Sequence, residues 1–117
     1  MGKNKDLRKV LTIALIFLLS SCAIVTEDLS QAKQYVEQKN YSEAIALLNT
    51  YKSSGSKKYN AEVHLESAEN ILKDLDKPKT ERYEEAKVYY EEAVRLDPKN
   101  SKARSFYLMI LKLLKQQ

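Results

Sequence analysis

The sequence predicts an all-α domain of about five amphipathic helices, paired as antiparallel hairpins. Three observations carry that prediction. Apolar residues recur at three- and four-residue spacing in five successive sets, the period of a helix with one buried face. No stretch alternates apolar and polar residues for long enough to make a strand. The opening Tyr-x-Glu-Ala occurs twice, at Tyr41 and Tyr83, 42 residues apart, so one helical unit is written twice.

The elements follow in order. Leu29, Ala32, Tyr35 and Val36 form the first stripe. Tyr41, Ala44, Ile45, Leu48 and Tyr51 form the second. It starts after Asn40, with Glu43 three residues on, the pattern of a capping box. "SSGS" at 53–56 holds Gly55, expected to supply a left-handed helix end. The third stripe is Leu65, Ala68, Ile71, Leu72 and Leu75. "DKPKT" at 76–80 interrupts it at Pro78 and offers Thr80 as the next cap. Tyr83, Ala86, Tyr90, Ala93 and Val94 make the fourth. "DPKN" at 97–100 stops that helix at Pro98 and offers Asn100 as cap. The fifth stripe is Ala103, Phe106, Tyr107, Ile110, Leu111 and Leu114. Connections this short set neighbouring helices antiparallel.

Residues 1–21 read differently. "MGKNKDLRK" carries four basic residues and one acid, and the ten residues "VLTIALIFLL" carry no charge. Small residues follow, which completes the anatomy of a secretory signal. Leu19, Ser20, Ser21 and Cys22 resemble the lipobox of bacterial lipoproteins. That resemblance implies cleavage before Cys22 and a covalent lipid on its sulfur. An uncleaved span from Val10 to Val25 has 16 residues, interrupted by Ser-Ser-Cys, against the roughly 20 that a membrane helix needs. The expected organisation is a signal peptide over 1–21, a lipidated linker over 22–27 and a helical domain over 28–117. Cys22 is the only cysteine, so no internal disulfide forms. Ala23, where an aspartate would hold enteric lipoproteins at the inner membrane, points to the outer membrane if the organism has one.

The formal charge of +4 mostly describes the signal. Without Lys3, Lys5, Arg8, Lys9 and Asp6, sixteen basic and fifteen acidic residues remain. A net charge of +1 carries no field that would hold nucleic acid. No catalytic, metal or cofactor site is expected beyond the lipid. The one histidine, His64, has no Cys or carboxylate at metal spacing and is expected half-exposed beside the third stripe. Gly55 alone cannot make a phosphate loop. Glu84-Glu85 and Glu91-Glu92 are expected on a solvated face.

The two Tyr-x-Glu-Ala units, with Tyr90, Ala93 and Pro98 after the second, resemble tetratricopeptide repeats from about residue 25 to the end. The resemblance implies helical hairpins packed through Ala32, Tyr35, Tyr41 and Ala44 in one unit. In the next it implies Ala68, Ile71, Tyr83, Ala86, Tyr90, Ala93 and Pro98. The period departs from the family's roughly 34 residues: two extra residues precede the third helix and six follow it. A longer loop also occurs in Sel1-like repeats, whose loop glycines are absent here. The family's partner groove, carried over, falls on Lys33, Val36 and Glu37, then Glu62, Leu65, Glu69, Leu72 and Lys73, then Met109 and Lys112. Apolar anchors with a charged rim suit a short peptide; equally, Leu65 and Leu72 can belong to the core. The expected function is a protein-interaction module or assembly accessory in the cell envelope, attached to the membrane by lipid. The alternative is a structural lipoprotein that self-associates through its end helix and has no client groove.

Overall fold

The computed structural model describes residues 27–117. Residues 1–26, which hold the expected signal, the lipobox and Cys22, lie outside the described residues. The described chain is all-α. α1 runs Ser30–Glu37, α2 Tyr41–Leu48, α3 Ser54–Leu72, α4 Lys79–Leu96 and α5 Ser101–Lys115. Each helix packs on the next in the chain. Connections of three to six residues turn each helix back on its predecessor.

Two apolar clusters meet on α3. One joins Ala32, Ala44, Leu48 and Val63. The other joins Ala61, Leu65, Ala68, Ala86, Tyr90, Ala93, Ala103 and Ile110. Seven alanines in these clusters are 0% exposed. A methyl side chain lets two helix backbones come close, and anything larger there forces them apart. The tyrosines fill the space alongside: Tyr90 stacks on Phe106 with ring centroids 5.5 Å apart.

α3 carries no single stripe. Its buried residues include Asn60, Ala61, Val63, His64, Leu65, Ser67 and Ala68, which run round most of the helix. The cause is its place in the stack, with α2 against one side and α4 against the other. His64 is therefore 4% exposed, not half-exposed as the pattern alone implied. Its Nδ1 lies 2.8 Å from the Asn60 carbonyl oxygen, and Tyr89 lies 5.7 Å away, centroid to centroid. Asn60 bonds through its side-chain amide to Asn49 Oδ1 at 2.9 Å.

The helix ends differ most from expectation. Gly55 lies in the first turn of α3 and has no positive φ; the left-handed residue is Lys39, at φ 60°. Lys39 N donates to Val36 O at 2.9 Å and Asn40 N to Tyr35 O at 2.7 Å, the paired bonds that close a helix through a left-handed residue. Asn40 makes no side-chain cap; its amide nitrogen donates to Gln38 Oε1 at 3.2 Å. α4 begins one residue before Thr80, with Pro78 at the cap position; proline suits a helix start because it has no N–H to leave unsatisfied. Thr80 instead donates to Gln117 Oε1, joining the start of α4 to the end of α5. Asn100 does cap α5, accepting from Ala103 N at 3.1 Å.

α3 ends at Leu72, so Leu75 continues no stripe and is 80% exposed. A charged side chain holds the inserted segment instead. Arg82 Nη1 donates to Leu72 O at 2.7 Å and Nε to Lys77 O at 3.1 Å. The first bond satisfies a carbonyl that the end of α3 leaves without a partner, and the second ties the loop residue Lys77 to α4. Lys77 pairs with Glu85 at 3.1 Å beside it.

The start of α3 is closed by a residue far away in sequence. Ser53 Oγ accepts from Ser56 N at 3.1 Å as an ordinary N-cap. The Glu27 carboxylate then accepts from Ser53 N at 3.0 Å, from Ser56 Oγ at 2.9 Å and from Lys52 N. Tyr51 adds a bond from its hydroxyl to Asp28 O at 2.9 Å. Hydrogen bonds from Ser53 and Lys52 pull the Glu27 carboxyl down to about 2. A carboxylate depressed in the fold stabilises it above its unfolded pKa, and that contribution goes as pH falls. Wild-type stability should therefore decline between about pH 4.5 and 2 partly through this group. In Glu27→Gln, acid titration followed by circular dichroism should be flatter over that window, from a lower starting stability at neutral pH. An unchanged profile would remove Glu27 from the account.

Candidate functional site

Two surface grooves flank α3, on opposite sides of the stack. The first lies where α3 and the start of α5 face each other without close packing. It has a volume of about 370 Å³ and is lined by Glu62, Leu65, Glu66, Glu69, Asn100 and Lys102. Glu62, Glu66 and Glu69 sit at helical spacing and so share one face of α3. Leu65, 4% exposed, forms its floor. Lys102 stands on the opposite wall and also lies over the Phe106 ring, 5.6 Å from its centroid.

α1 extends the same face. Lys33 Nζ lies 5.9 Å from the centroid of the Tyr59 ring. The Tyr59 hydroxyl is pushed above its usual range by burial first, then by Glu66, Glu62 and Glu37. Glu37 is thus close enough to act on the same phenol as the groove acids. Burial, followed by Glu66 and Glu69, raises Tyr41, and burial with Glu69 raises Tyr90. Glu66 and Glu69 therefore act on phenols carried by α2, α3 and α4.

The residues expected to form a partner groove divide. Glu62, Leu65 and Glu69 come together at the groove, with Lys33 and Glu37 brought to the same side through Tyr59. Leu65 and the half-buried Leu72 belong to the α3–α4–α5 core, and Val36 packs in the α1–α2 core. Lys73 is exposed just beyond the end of α3. Met109, 41% exposed, and Lys112 lie on the outer surface of α5 and do not line the groove. Glu66, Asn100 and Lys102 complete the lining and were not expected. Glu66 was within reach of the pattern, four residues after Glu62. Asn100 and Lys102 arrive by packing of a later helix and leave no local sign.

The second groove, of about 490 Å³, runs between α2 and α4 over Ser67 and Ile71. It exists because α2 has 8 residues and α4 has 18, so the shorter helix leaves part of α3 uncovered. The Lys77–Glu85 pair and Tyr89 stand at its rim, beside Val88, which is 64% exposed.

His64 lies on the face of α3 that carries Ser67 and Ile71, against Tyr89. Burial holds its imidazole below the usual 6.5, opposed by the Asn60 carbonyl and Glu92, while Arg95 adds to the lowering. The fold therefore keeps His64 neutral, and the unfolded chain protonates first as pH falls. Stability is full above about pH 6.5 and is lost as pH drops through the lower folded value. Thermal unfolding at pH 7.5 and 5.5 should show this loss in the wild type. In His64→Phe, which keeps a ring against Tyr89, the difference should shrink. An equal drop in both proteins would place the titrating group elsewhere.

A family model for the tetratricopeptide repeat matches residues 79–100. The match covers α4 and the turn to Asn100; it does not extend over α1 to α3. No curated protein and no solved structure matches the chain. The described residues therefore form an all-α domain of five helices packed in adjacent pairs, with a tetratricopeptide repeat over residues 79–100. Repeats of this class are protein-interaction units, and the repeat implies a protein partner.

Proposed function

We propose that this chain is a lipid-anchored lipoprotein of the cell envelope whose helical domain binds a protein segment through the α3–α5 groove. The observation that carries the reading is the groove itself: three carboxylates over a leucine floor, next to a tetratricopeptide repeat. That lining suits an extended segment that places a basic side chain between Glu62, Glu66 and Glu69 and an apolar one over Leu65. The anchor rests on the sequence, where Leu19-Ser20-Ser21-Cys22 follows an uncharged apolar run. Ala23 favours the outer membrane where two membranes exist. Catalysis forms no part of the reading.

The test is a pull-down from detergent-solubilised membranes with wild type, Cys22→Ala and Glu66→Lys. Wild type should retain a discrete partner. Glu66→Lys should release it while keeping its helical spectrum, and Cys22→Ala should leave the membrane fraction. A partner held equally by Glu66→Lys would rule out this groove.

A second reading has one observation in its favour. Leu108 is 66% exposed and Met109 41% exposed on α5, the last helix of the stack. Self-association there would make the domain a structural element. Ile110, by contrast, is 0% exposed and cannot report on that face. Light scattering of wild type and Leu108→Glu separates the readings, because only a self-associating chain loses mass in the variant.

A further inference from the structure

We propose that the pole of the domain where the chain enters rests on an anionic lipid surface. This rests on the membrane attachment proposed above for residues preceding Glu27. The antiparallel stack brings three junctions to that pole. Glu27 is bonded to Ser53 and Ser56 at the start of α3. The end of α2 and the end of α4 meet over the first turns of α3, where Leu48, Lys57, Asn60 and Leu96 line one depression. α5 starts after a four-residue connection from α4.

The charges at the two poles differ. The entry pole carries Lys52, Lys57, Lys58, Lys99, Lys102 and Arg104, all exposed. None has an ion-pair partner among the described residues. The acids there are mostly occupied. Glu27 is held by the α3 start, Asp28 Oδ1 accepts from Ser30 N at 2.9 Å, and Glu92 pairs with Arg95, which leaves Asp97. At the far pole Lys39, Lys73, Lys79, Lys112 and Lys115 are equalled in number, though not ion-paired, by Glu37, Glu43, Asp74, Asp76 and Glu81. The net charge of the domain hides this division. Acids balance the cations at the far pole and line the flank in Glu62, Glu66 and Glu69, whereas cations outnumber acids at the entry pole.

The tether selects that end. Cys22 stands five residues before Glu27, a reach of about 17 Å when fully extended. Glu27 is fixed to the basic pole, so a bilayer at Cys22 lies within that distance of it. Cations this close to anionic headgroups are attracted, each strengthening attachment by roughly fivefold, the equivalent of about 1 kcal/mol. The α3–α5 groove then opens sideways, along the membrane plane and clear of the lipid.

The test uses the full chain, purified from membranes and reconstituted into vesicles of phosphatidylcholine alone or with phosphatidylglycerol. A fluorophore is placed at Ser54→Cys or Leu75→Cys, one at each pole, and quenched by a headgroup-labelled lipid. Quenching at position 54 should exceed that at 75 by roughly threefold or more in anionic vesicles, and high salt should erode the excess. Lys52→Glu combined with Lys58→Glu and Lys99→Glu should abolish it while leaving the helical spectrum intact. Equal quenching at both poles, or an excess indifferent to lipid charge and to the reversals, overturns the proposal. So does a charge-reversed chain that keeps its vesicle position but loses an acidic protein, which would give the pole to that protein. The mass of the mature chain reports acylation separately. An unacylated chain that still shows the salt-sensitive excess refutes the lipid anchor and keeps the basic pole.

Discussion

Replacing Tyr90 by alanine should cost about 3–5 kcal/mol, the range for removing a fully buried aromatic ring. Tyr90 is 1% exposed and is among the largest fully buried side chains. It lies in the middle of α4, in the same cluster as Ala61, Leu65 and Ala68 of α3 and Ala103 and Ile110 of α5, and it stacks on Phe106. Its loss therefore opens a cavity between three helices at once. Small domains hold only about 5–15 kcal/mol in total, so the variant should sit near the edge of folding. Urea denaturation followed at 222 nm measures the effect. A loss below about 1 kcal/mol would mean that the ring is not packed as described.

Ile110→Ala should have the next largest effect, about 2–4 kcal/mol, and a different distribution. Ile110 is 0% exposed and ties α5 to the core. The principal neighbour of α5 is α4, so its loss should loosen the terminal helix first. Hydrogen exchange should show α5 amides losing protection by roughly thirtyfold or more, with α1 and α2 changed far less. Uniform loss through all five helices would show instead that the stack opens only as a whole.

The helices were legible because burial on one side writes its period into the sequence. The fourth and fifth, with continuous stripes and Asn100 as cap, were the clearest. α3 was harder, since it is covered on two sides and its buried residues include Ser56, Asn60, His64 and Ser67. A one-face pattern could neither place its start nor foresee the burial of His64. Helix ends were least legible, because their partners come from elsewhere in the chain. Asn40 and Thr80 are good caps by type, yet each spends its side chain on another residue. Nothing local marks Glu27 as the closure of a helix that begins 27 residues later, or Arg82 as the closure of α3. At the groove, Glu62, Leu65 and Glu69 came from the resemblance to the repeat family, whose groove positions fall on them. Lys102 and Asn100 could not be read, since only the turn after α4 brings them across.

The bonds from Glu27 to the start of α3 also decide how the domain bears mechanical load. Tension arriving along the chain from its N-terminal side meets Ser53 and Ser56 before it can act on α1. The 8-residue α1 and α2 form a closed bight outside the line of force. The pull is taken up by the 19-residue α3, against which α2 and α4 are braced on either side. On the proposed reading, a partner drawn against the groove would load that same helix, so capture and attachment would share one beam.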